Sequence, residues 1–124
     1  MNFELDRVKL TIGERTLLSR LKNPTGIDNW NIFARWAFCY SIGKGSEIDL
    51  NEQDGEYGVE MSWVVFSGKN YKLYQGLLTQ ECERLELKLT KSNLNKVLRA
   101  HLRNGIKQIF TQTKSLDDLF DLAI

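Results

Sequence analysis

Polar and apolar residues alternate from Arg7 to Ile12 (RVKLTI), the period of a strand with one buried face. The period then changes. Between Glu14 and Leu21 the apolar residues Leu17, Leu18 and Leu21 fall on one side of a helix, and NPTG at 23–26, with the only proline of the chain, is expected to break it. Asp28 or Asn29 is placed to cap the next helix, WNIFARWAFCYSI at 30–42, which is apolar on nearly every side apart from Asn31 and Arg35. A helix of that kind belongs at the centre of a core or in an interface.

The stretch GKGSEIDLNEQDGEYG at 43–58 is polar, acidic and rich in glycine, and reads as a loop. VEMSWVVF at 59–66 admits a short second strand, although its alternation is lost halfway. Tyr71 to Lys88 predicts a helix with Leu73, Leu77, Leu78 and Leu85 inside, and Thr90 to Asn93 supply a cap for a last long helix through LRAHLRNGIKQIF at 98–110. SLDDLFDLAI at 115–124 has the pattern of a short acidic amphipathic helix. These elements predict a mainly α, compact helical domain with a short N-terminal strand and a ribbon-helix-helix-like start. With 124 residues, 42% of them hydrophobic, and neither repeat nor linker, residues 1–124 read as one domain.

Charge changes the picture more than composition does. The 17 Lys and Arg nearly cancel the 16 Asp and Glu, yet they are segregated along the chain. Residues 7–44 carry seven basic groups (Arg7, Lys9, Arg15, Arg20, Lys22, Arg35 and Lys44) against Glu14 and Asp28, residues 45–68 carry six acids and no base, and Lys88 to Lys114 carry seven bases and no acid. On a helix at about 100° per residue, Lys96, Arg99, Arg103 and Lys107 lie within roughly 80° of one another, opposite Leu94, Leu98, Leu102 and Ile109. Solvated helix faces usually interleave acids one turn away, so an acid-free stripe calls for counter-charge from a phosphate backbone or from the acidic loop or tail. In a ribbon-helix-helix arrangement Arg7, Lys9 and Thr11 would enter the major groove; the plainer reading is an amphipathic edge strand with solvated charges.

Candidate chemistry is sparse. His101, the only histidine, falls on the apolar side of its helix with Gly105 one turn on, which favours a core or helix-contact role over catalysis, and no nucleophile motif accompanies it. Cys39 and Cys82 form neither a metal-ligand pattern nor a disulfide framework and are expected to be reduced and buried. Gly43-Lys44-Gly45 is too short for a phosphate loop, so neither a metal nor another cofactor is expected. MNFELDRVKL lacks the features of a signal peptide and no stretch approaches a membrane span, from which a soluble cytoplasmic protein is expected.

TGIDNWNIFARWAFCYS at 25–41, LRAHLRNGI at 98–106 and KSLDDLF at 114–120, with FSGKNYKLYQGLL at 66–78 between them, resemble the DndE family of DNA sulfur modification proteins over most of the chain. The resemblance implies a mainly helical, often oligomeric DNA-binding partner in the bacterial machinery that replaces a non-bridging phosphate oxygen of DNA with sulfur. It also implies work beside a cysteine desulfurase, an ATP-dependent sulfur transferase and an ATPase. The leading expectation is therefore a homo-oligomer that binds double-stranded DNA, intact or nicked, through Arg7, Lys9, Arg15, Lys22, Lys96, Arg99, Arg103 and Lys107. A nicking endonuclease that opens the backbone for sulfur incorporation, and an adaptor that contacts only protein, are the alternatives.

Overall fold

The computed structural model of the protein describes residues 7–26, 29–51 and 55–112; Asp28 and the acidic pattern at 115–124 lie outside them. The elements are β1 (Arg7–Thr11), α1 (Ile12–Thr25), α2 (Trp30–Gly43), β2 (Tyr57–Ser62), α3 (Trp63–Ser67), a 3-10 turn at Gly68–Asn70, α4 (Tyr71–Arg84) and α5 (Lys91–Gln112). The fold is mainly α, with a two-stranded antiparallel sheet among the described residues.

β1 has the alternation read from its sequence: Val8 and Leu10 are buried, while Arg7 and Lys9 point outward. Its partner is β2 of the same chain, with Val8 opposite Met61 and Lys9 opposite Glu60, whereas a ribbon-helix-helix start would pair it with a second subunit. The halfway loss of alternation after Val59 marks a change of element. Ser62 ends β2 and caps α3, its hydroxyl accepting from the Val65 amide at 3.2 Å.

The β1–α1 junction is a capping box. The Thr11 hydroxyl accepts from the Glu14 amide at 3.1 Å and the Glu14 carboxylate accepts from the Thr11 amide at 3.0 Å. Helix α1 ends within NPTG, as its sequence suggested, at the glycine rather than at the proline. It runs to Thr25 and stops where Gly26 turns left-handed (φ 73°) and returns its N–H to the Lys22 carbonyl. Asn29 occupies the N-cap position of α2 without a side-chain cap bond. Two further expectations need correction: α4 ends at Arg84 rather than at Lys88, and Leu73 is 58% exposed rather than inside. Tyr74, Leu78 and Cys82 form the buried seam of α4, and Leu73 stands outside it.

α5 is the central helix. It packs on α1, α2 and α4, and from Val97 to Ile106 none of its residues is exposed. Its closest neighbour is α2: a Cβ built on Gly105 would lie 1.9 Å from the Ala37 carbonyl oxygen. One turn away, a hydrogen-bonded chain crosses the same contact. Asn104 Nδ2 donates to Ser41 Oγ (2.9 Å), Ser41 Oγ meets His101 Nδ1 (2.7 Å), and His101 Nε2 meets the Glu81 carboxylate (2.7 Å). Arg84 closes the chain, donating to both Glu81 oxygens. Every group is satisfied with a neutral imidazole that accepts from Ser41 and donates to Glu81.

Burial holds His101 below its ordinary pKa against the opposing pull of Glu81, and the Arg84 hydrogen bonds hold Glu81 below the usual carboxylate value. His101 is therefore the core residue its place on the helix suggested, fully buried with Phe38 edge-on to its ring.

Two outcomes follow from this core. Gly105→Ala should destabilise the protein by about 3 kcal/mol, the upper end for overpacking, because its clash is with backbone. Gly76→Ala, in α4 with open space around it, should instead stabilise by about 0.5–1 kcal/mol; urea unfolding of the pair compares them. For His101 a folded pKa below the ordinary 6.5 means that the unfolded chain binds more protons. Its contribution is thus complete above pH 6.5 and is lost as pH falls below that value. The Glu81 contribution is lost only below 4.5. Urea midpoints measured between pH 7.5 and 5 should fall on acidification, and His101→Gln should flatten that fall.

Candidate nucleic-acid interface

The outward residues of β1 face the first turns of α5. Lys91, Asn95, Leu98 and Arg99 share one side of α5 by their spacing, and with Arg7, Val8, Lys9 and Tyr57 they line a half-open recess of about 380 Å³. Val8 and Leu98 are buried and give it an apolar floor, and four cations stand around it.

Arg99 fixes the geometry. Its guanidinium donates through Nη1 and Nη2 to the two oxygens of Glu14 (3.0 and 2.9 Å), and through Nη1 to the Lys9 carbonyl (2.8 Å). This fork, with side-chain exposures of 12% and 8%, joins α5 to the capping box and to the backbone of β1 in a single arrangement. Arg99 and Lys9 also lie over the Tyr57 ring, at 5.6 and 5.4 Å from its centroid. Glu60 stands 3.9 Å from Arg7 and from Lys9, with all three side chains about half exposed, so water and salt screen these pairs.

Of the eight residues selected from sequence, three come together here: Arg7, Lys9 and Arg99. The others do not line the recess. Lys96 and Lys107 are exposed on α5, and Lys22 is exposed on α1. Arg15 stacks over Trp30 at 5.2 Å. Arg103 is buried and donates to the Asp49 carbonyl at 3.2 Å, in the acidic loop. The stripe Lys96, Arg99, Arg103, Lys107 is therefore not one solvent-facing surface, because α5 is enclosed along its middle. Thr11 is buried in its capping box and does not project with Arg7 and Lys9.

Lys91, Asn95 and Tyr57 were missed. The helical spacing of Lys91 from Arg99 was available as a signal; the position of Tyr57 opposite Thr11 depends on strand register.

The cysteines differ from expectation in one respect. Cys82 is buried, but Cys39 is exposed at the surface of α2. The crowding of its sulfur nevertheless pushes the Cys39 thiol up, and burial does the same for Cys82, so both favour the thiol form at neutral pH. Among the described residues no three of His, Cys, Asp and Glu group to hold a metal, and no helix is long and apolar enough to cross a membrane.

Residues 7–117 match the model of the family described as DNA sulphur modification protein DndE. The fold is similar to the crystal structure of DndE from Escherichia coli B7A, a protein involved in DNA phosphorothioation modification. The TM-score is 0.68 at 23% identity, with 86% of this chain and 98% of that chain covered. No curated protein sequence matches. The span of the family match, which takes in both strands and all five α-helices among the described residues and every residue of the recess, places this chain in the DndE family of DNA sulphur modification proteins.

Proposed function

We propose that the chain is a DNA-binding component of the phosphorothioation machinery, holding duplex DNA, intact or nicked, while other DNA sulfur modification proteins act on it. The observation that carries this reading is the convergence of Arg7, Lys9, Lys91 and Arg99 on one recess in a member of this family. The polar lining consists of the cations, the Asn95 amide and the Tyr57 phenol, a set suited to phosphate oxygens more than to base edges, so binding tolerates sequence. Lys96 and Lys107, exposed further along α5, extend the contact to neighbouring phosphates.

Log affinity for duplex should fall with log salt by about 0.9 per phosphate neutralised. The combined change Arg7→Gln, Lys9→Gln and Lys91→Gln should flatten that slope by about 2.7 if each cation meets one phosphate. An unchanged slope in the folded variant would assign the recess to another partner, and absence of duplex binding by the native chain would favour the protein-only adaptor. His101 is sealed in the core with both ring nitrogens engaged, so purified protein should bind nicked duplex and leave supercoiled plasmid uncut. Open circles produced by pure protein, and abolished by a point change that preserves binding, would identify a nicking enzyme instead.

Self-association belongs to the same proposal. Val64 and Val65 on α3 are 73% and 50% exposed, and Leu73 lies on the adjoining α4, apolar area of the kind a second copy covers. Val64→Ser with Leu73→Ser should shift the sedimentation coefficient toward the monomer; no shift would place the contact elsewhere.

A further inference from the structure

Resting on the DNA-binding reading, we infer that the recess between β1 and α5 is a site for a terminal phosphate, the phosphomonoester at the end of a nucleic-acid strand. Two features distinguish it from a surface that tracks a continuous backbone. Cations that follow a backbone are spaced along it, whereas Arg7, Lys9, Lys91 and Arg99 gather around one concavity.

The local charge fits a dianion. Among the described residues, four cations stand against two carboxylates, Glu60 beside Arg7 and Lys9 and Glu14 on Arg99, an excess of two positive charges. A phosphomonoester carries about −1.5 to −2 at pH 7, and an internal phosphodiester carries a single negative charge.

The floor of the recess is apolar, formed by buried Val8 and Leu98, so its polar groups are confined to the rim. Asn95 adds an uncharged polar group to the lining, able to donate to an oxygen that the cations leave unfilled.

The test uses the full chain and three duplexes of one sequence at constant ionic strength: a covalently closed dumbbell without ends, a linear duplex with hydroxyl ends, and the same duplex with terminal phosphates. The phosphorylated duplex should bind about tenfold more tightly than the hydroxyl-ended one, the effect of one added charge-assisted contact. Inorganic phosphate should erase that difference in competition, and Lys91→Gln, with its helical circular dichroism intact, should lose it. Equal binding of the two linear duplexes, with the dumbbell also bound, would overturn the terminal-phosphate site and leave the DNA-binding reading standing. Failure to bind any of the three would overturn both. Tight binding of inorganic phosphate, with no distinction between the ends, would assign the recess to a small phosphorylated molecule and overturn the strand-end site.

Discussion

The contact on which the rest of the molecule depends is the approach of α5 to α2 at Gly105. There the helix presents no side chain, and a Cβ would sit 1.9 Å from the Ala37 oxygen. The helices run antiparallel, so four residues along each of them Ser41 meets His101. The polar chain from Asn104 to Arg84 spans α2, α4 and α5 only because the backbones are this close. Packing and polarity are therefore coupled: moving α5 outward would both open a void and leave a fully buried imidazole short of a partner, two costs that add in the same place.

A second junction uses one carboxylate twice. Glu14 completes the cap of α1 and receives the Arg99 fork, so the start of α1, the carbonyl of Lys9 and the middle of α5 are locked together. A pair this buried adds little net stability, since the desolvation of both ions offsets much of their attraction, but breaking it would leave a charge stranded. Its consequence is positional. The distance between β1 and α5 is set there, and with it the recess. The acid-free helix that asked for counter-charge in the sequence finds some of it within the chain, Arg99 from the Glu14 carboxylate, while Arg103 takes a neutral acceptor, the Asp49 main-chain carbonyl in the acidic loop.

What the sequence made legible was periodic. The strand at 7–11, the apolar α2, the Thr90 cap of α5 and the core place of His101 follow from spacing and local chemistry, and all are present. What it concealed was enclosure. A helical wheel assigns Arg99 and Arg103 to a polar face, but α5 is surrounded, and its small or polar residues Ala100, His101 and Gly105 are contact residues as much as the leucines are. Leu73 erred in the opposite sense, apolar by type and outward by position. The recess depended on long-range placement: helical spacing sets Lys91 on the side of Arg99, but the docking of α5 against β1 and the strand register that brings Tyr57 are not encoded in local pattern.

Near-neutrality of the whole chain is no obstacle to meeting a polyanion, because exposed charges more than about 8 Å apart are largely screened at physiological salt and only the local cluster is felt. Within that cluster the two carboxylates behave differently. Glu14 is held by the Thr11 amide and both Arg99 nitrogens and is part of the scaffold. Glu60 is half exposed and 3.9 Å from its partners, a contact that a phosphate can displace at small cost. It relieves the repulsion between Arg7 and Lys9. In the proposed binding of an anion, those two side chains would turn from Glu60 to the anion with little change in backbone, since the strand pairing that presents them rests on main-chain bonds and on buried Val8, Leu10 and Met61. The recess thus combines one fixed cation, Arg99, held at both ends of its fork, with exposed cations on β1 that are held only by a screened carboxylate, a division that would let the scaffold stay rigid while the charges adjust to the proposed anion.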